Sequence, residues 1–128
     1  MMDGKRVEFG EKFFILHIRN LLLAIKCKEV NGCKVKFKNC SEMFRPDGNG
    51  SSINEIDFSG ADTSEVTDMR RMFWGCNNLT YLDLSRFDTS NVTDMSGMFD
   101  GCHSLTSLNL SNFDTSNVTS MQSMFQDC

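Results

Sequence analysis

The chain has 128 residues, 23% of them charged and 40% hydrophobic, with a net charge of −4. That is one domain's worth of chain with apolar residues enough for a modest core, which excludes a disordered tail and a bulk membrane protein. Residues 1–45 hold ten Lys/Arg against five Asp/Glu and residues 46–128 hold three against twelve, so a +5 segment precedes a −9 body that is ill suited to nucleic acid.

The first long feature is the apolar run Phe13 to Ile25. It has 13 residues and includes His17, Arg19 and Asn20, whereas a membrane-spanning helix needs about 20 apolar ones. A secretory signal fits no better, because the polar trio breaks the run and no small-x-small site follows. A lipoprotein signal ending at Cys27 would need small residues where Ile25 and Lys26 stand. The remaining reading is a helix over residues 11–28, with Phe14, Ile18, Leu21, Leu22 and Ile25 on one face. Closed by the Asn31-Gly32 turn, it would form an N-terminal helical cap over residues 1–34. His17 reads as a polar residue of that cap, since no catalytic partner recurs near it.

From residue 35 onward the chain is built on a period of 26. Phe113–Cys128 reproduces 11 of the 16 residues of Phe87–Cys102, and Ala61–Arg86 matches Phe87–Asn112 at 16 of 26, which is the signature of a repeat architecture. Residues 35–128 then comprise one degenerate copy, two full copies and one partial copy. In the degenerate copy Met43-Phe44 stands for the later Met-Phe pairs, and the loop RPDGNGSS is an insertion. That loop has calcium-like residues at Asp47, Asn49 and Ser51, but Ser52 and Phe58 occupy positions where an EF-hand needs Gly and Glu, so it reads as a turn.

Each full copy has two periodicities. The leucines of Leu79-Leu82-Leu84 and Leu105-Leu108-Leu110 alternate and predict a short strand. Val92-Met95-Met98-Phe99 spaces apolar residues at i, i+3, i+6 and i+7 and predicts a short helix, capped by Ser90 or Asn91 and ended by Gly101. A strand and a helix per copy predict an α/β solenoid of leucine-rich-repeat coils, with parallel strands on one side and helices on the other. The methionines and phenylalanines at these positions are expected in the core. Asp62-Thr63-Ser64, Asp88-Thr89-Ser90 and Asp114-Thr115-Ser116 are expected in turns, bonding backbone groups from copy to copy.

Of the six cysteines, Cys76, Cys102 and Cys128 are 26 apart and belong to the repeat rather than to a disulfide framework; Cys27 and Cys33 pair only in an oxidising compartment. With no CxxC there is no sequence support for a zinc site, and no cofactor is expected. Six N-x-Ser/Thr sequons, at Asn39, Asn49, Asn78, Asn91, Asn109 and Asn117, follow mostly from the composition of the repeat.

The unit FDTSNVTDMSGMFDGC followed by SLTSLNLSN closely resembles the 26-residue repeat of BspA-like leucine-rich-repeat surface proteins, over about Phe37 to Cys128. The resemblance implies a leucine-rich-repeat fold, a place at the cell surface or outside the cell, a role in adhesion or protein binding, and no catalytic residues. The interaction face expected from strand alternation carries Glu55 and Asp57 in one copy, Tyr81 and Asp83 in the next, and Ser107 and Asn109 in the third. The expected partner is a host or cell-surface protein, or a second copy of the chain docking through the uncapped C-terminal coil. Catalysis is not expected: His17 and His103 lie in unrelated contexts, and Cys102 beside His103 belongs by register to the core.

Overall fold

A computed structural model describes residues 7–9, 35–44, 53, 55, 56, 58 and 60–128. The helix expected over 11–28, the cysteines at 27 and 33, the loop 45–52 and Asp57 lie outside the described residues. Three short strands form one parallel sheet in the order β1 (Val7–Phe9), β2 (Val35–Phe37), β3 (Ala61–Asp62). Val7 pairs with Val35 and Val35 with Ala61. The segment expected to be a helical cap therefore also supplies a strand to the edge of the sheet. Further along, single parallel bridges join Asp68 to Asp94 and Asp94 to Ser120, each 26 residues apart. The sequence period is thus a hydrogen-bonding period.

Sheet pairing falls at the residues that precede the Asp-Thr-Ser turns, not at the leucines. The segment Leu79–Leu84 has no sheet pairing of its own. Its end groups are already engaged: the Leu79 N–H donates to the Cys76 carbonyl at 3.2 Å, and the Leu84 carbonyl accepts from the Phe87 N–H at 3.0 Å. The predicted alternation nevertheless holds, with Leu82 and Leu84 buried and Tyr81, Asp83 and Ser85 exposed.

Nor is the methionine segment a helix; there is none among the described residues. In a helix every N–H would return to the carbonyl four residues back. Here alternate N–H groups leave for the next copy: Met69 donates to Asp94 at 3.0 Å, Arg71 to Ser96 at 2.9 Å, Phe73 to Met98 at 2.9 Å and Gly75 to Asp100 at 2.8 Å. Groups between them turn back three residues, Met72 to Met69 and Trp74 to Arg71. The same alternation runs from Met95, Gly97, Phe99 and Gly101 into the last copy. Left-handed backbone at Arg71 (φ 52°), Gly75 (72°), Gly97 (61°) and Gly101 (78°) breaks the right-handed path every four residues and turns those N–H groups outward along the stack. The i, i+3, i+6, i+7 pattern of a helix face is equally the pattern of this winding segment, which buries the same side chains.

Packing follows the 26-residue spacing. Phe44, Phe73, Phe99 and Phe125 form a column of parallel rings with successive centroids 5.5, 5.5 and 5.6 Å apart. Phe58 meets Phe44, Phe73 and Phe87 edge-on, and Phe87 stacks on Phe113. Val66, Met69, Met72, Val92, Met95 and Met98 fill the remaining core. Each Phe or Met fully removed from water contributes about 1.5–3 kcal/mol, so these columns supply the main drive for stacking.

Polar side chains join the copies where the backbone cannot. The buried Thr63 hydroxyl accepts from the Asp88 N–H at 2.9 Å and donates to the Asp88 carbonyl at 3.0 Å; Thr89 repeats both bonds with Asp114. Asn91 donates to the Ser64 carbonyl and Asn117 to the Ser90 carbonyl, both at 2.7 Å. The cysteines are part of the same stitching: the thiols of Cys76, Cys102 and Cys128 donate to the carbonyls of Phe44, Phe73 and Phe99.

Candidate interaction face

Tyr81 and Asp83 point away from the core because Leu82 and Leu84, between and after them, point into it. In the next copy Ser107, Asn109 and Ser111 are exposed while Leu108 and Leu110 are packed against the core. The two rows enclose a groove of about 480 Å³, walled by Tyr81, Asp83, Ser85, Ser107, Asn109 and Ser111 with Leu82, Leu84 and Leu108 at its base. Tyr81 is 68% exposed, an unusual state for a large aromatic side chain in a chain whose other rings stack inward.

Both acidic-type positions are shaped by the turn that follows them. Asp83 Oδ1 accepts the Ser85 N–H at 2.9 Å, and Asn109 Oδ1 accepts the Ser111 N–H at 3.0 Å. The Ser85 side-chain and backbone bonds, aided by the charge of Arg86, lower the pKa of Asp83 from its ordinary value, so it is a carboxylate at neutral pH. Beneath the groove Asn112 donates from Nδ2 to the carbonyls of Leu84 and Phe87, both at 3.0 Å, and holds the two rows together. Sequence reasoning misses that duty of Asn112, although its replacement of Arg86 at the same repeat position is a visible signal. Of the expected face residues, Tyr81, Asp83, Ser107 and Asn109 converge on this groove. Glu55 is exposed but is not part of its wall, and Asp57 lies outside the described residues.

A family model described as "Mycoplasma protein of unknown function, DUF285" matches residues 38–128. The chain belongs to this family. Comparison with curated proteins and with solved structures gave no match. The DUF285 match takes in every copy from Met43-Phe44 onward and the whole of the groove, while β1 lies outside it.

Two other features of the DUF285 region bear on chemistry. A second depression, of about 430 Å³, is lined by Ser41, Glu42, Arg70, Arg71 and Ser96. Its cations are already engaged: Arg70 reaches Asp68 through two nitrogens, the shorter contact being 2.7 Å, and Arg71 lies 4.0 Å from Glu42. The Cys102 thiol is buried against the Phe73 carbonyl, and burial pushes its pKa up to about 12, whereas the neighbouring His103 is exposed. A thiol held that way keeps its proton and is a poor nucleophile. No group of three or more His, Cys, Asp or Glu side chains placed to hold a metal ion occurs among the described residues, and no helix there is long and apolar enough to cross a membrane.

Proposed function

We propose that the chain is a leucine-rich-repeat-type solenoid of a surface-protein class, and that it acts as a non-catalytic protein-interaction or adhesion module through the Tyr81–Asn109 groove. The observation that carries this reading is the groove itself, where an exposed tyrosine, a carboxylate and an amide stand together on copies whose other repeated residues are committed to packing. Aromatic residues exposed beside polar groups are the usual anchors of protein recognition. Within a stack of near-identical copies, function belongs where the copies differ, and Tyr81/Ser107 and Asp83/Asn109 are such differences. Capture experiments with candidate surface and matrix proteins test it: Tyr81→Ala and Asp83→Ala should each weaken capture, by roughly 1–2 kcal/mol for an anchor residue. Unchanged capture of every partner by both variants would remove this face from consideration.

A second reading is assembly. Met121 and Phe125 are 44% and 52% exposed, whereas their counterparts Met95 and Phe99 are fully buried. Apolar residues exposed in that register suit docking of a second copy, aided by the charge difference between the basic N-terminal segment and the acidic body. Sedimentation velocity at low and high salt distinguishes the two readings: assembly predicts mass that grows with concentration and falls with salt, and a monomer throughout would rule it out.

A further inference from the structure

We propose that the groove takes a basic peptide segment of a partner protein, with an arginine or lysine side chain lying on Tyr81 and its charge against Asp83. The inference rests on the reading of this face as the interaction face and adds the chemistry of its occupant. Tyr81 and Asp83 are two residues apart with both side chains outward, a separation of about 7 Å along an extended chain. One cationic head group can therefore meet the ring within about 6 Å of its centroid and still reach the carboxylate. Across the groove the side chains are neutral. Asn109 uses its Oδ1 on Ser111, which leaves its amide nitrogen as a donor, and Ser107 and Ser111 add hydroxyls. Those groups suit the alternating carbonyl and N–H groups of a peptide backbone.

The long-range field favours the same occupant. Residues 46–128 carry three Lys/Arg against twelve Asp/Glu, and two of those three cations, Arg70 and Arg71, stand at the other depression beside Asp68 and Glu42. The third, Arg86, contributes its charge at Asp83 and opposes an incoming cation there. A segment with two or more basic residues, drawn by the whole acidic body, overcomes that local opposition better than a single cation does. A volume of about 480 Å³ accommodates a short stretch of chain rather than a folded surface.

The repeat itself supplies the variants. Asn occupies the Asp83 position in the next copy and makes the same turn bond, and Ser occupies the Tyr81 position, so Asp83→Asn and Tyr81→Ser are substitutions the fold already accommodates. Fluorescence anisotropy of the full chain would use a labelled Gly/Ser peptide with two arginines, the same peptide with citrulline in their place, and a neutral oligosaccharide. The arginine peptide should bind, and the citrulline peptide should not. High salt should weaken binding, Asp83→Asn should weaken it about tenfold, and Tyr81→Ser about threefold. Equal binding of both peptides, or indifference to Asp83→Asn, would overturn the proposal. So would oligosaccharide binding that needs Tyr81 but not Asp83, although the interaction-face reading would survive that outcome. Self-association that depends on Asp83 would replace the partner peptide by a second copy.

Discussion

Residues 87–102 and 113–128 share 11 of 16 residues, yet their side chains live in different surroundings. In the first stretch Val92, Met95, Met98 and Phe99 have essentially no exposure; in the second Val118 is half-buried and Met121 and Phe125 are open. The first lies between two other copies, and the second is covered on one side. Burial here is decided by the neighbouring copy and not by the residue's own identity, as expected when each unit can bury its apolar edge only against the next.

Paired substitutions at equivalent positions can break or sharpen that contrast. The largest effect is expected for the phenylalanine column. Phe99 is held between Phe73 and Phe125, so Phe99→Ala should cost about 3–5 kcal/mol in urea unfolding. Phe125 stacks on Phe99 on one side and is 52% exposed, and Phe125→Ala should cost well under half as much. Equal losses would mean that the last copy is as enclosed as the one before it. A smaller difference is expected for the threonines. Thr89→Val leaves both the N–H and the carbonyl of Asp114 without their partner and should cost about 1–3 kcal/mol. At the exposed Thr115 the same change should stay within about 0.5 kcal/mol. Thermal melting of the two variants side by side would show whether the hydroxyl ladder carries stability.

The smallest effect concerns pH. The Cys102 thiol is raised from 9.0 to about 12, first by burial and then by the neighbouring Cys128. An unfolded chain releases this proton near pH 9 while the folded chain holds it to about 12, so the contribution is complete below about 9 and disappears as pH rises through about 12. Melting temperature should fall over that window, and less steeply in Cys102→Ser, which keeps a donor for the Phe73 carbonyl. Cys128→Ser should alter the slope less, because Cys128 is exposed. If Cys102→Ser leaves the slope as it was, the thiol is not desolvated.

Much of the candidate site is legible in the order of residues alone. The alternation Tyr81-Leu82-Asp83-Leu84 assigns two side chains to water and two to the core, and the 26-residue shift brings Ser107 and Asn109 alongside. The role of Asn112 is not legible there, since it depends on which carbonyls of the previous copy come within 3.0 Å of its amide. The helix expected at Val92–Phe99 fails for a related reason. Apolar spacing reports which side chains face inward, but it does not say whether an N–H returns to its own chain segment or crosses to the next copy.

By itself, then, the sequence determined the 26-residue spacing of the stack, the Phe, Met and Cys columns of the core, and the outward row that contains Tyr81 and Asp83. Repetition and hydrophobic pattern specify these directly, because identical units bury identical positions. Only the tertiary structure decided that left-handed residues such as Gly97 and Gly101 wind the methionine segment without a helix, and that strand pairing falls at Val35–Phe37 and Ala61–Asp62. It also decided that Thr89, Asn91 and Cys102 bond carbonyls of neighbouring copies, and that Phe125 stays open where Phe99 is closed. Each of these depends on which backbone group of another copy lies within hydrogen-bond or packing distance, a quantity that the order of residues along one chain does not contain.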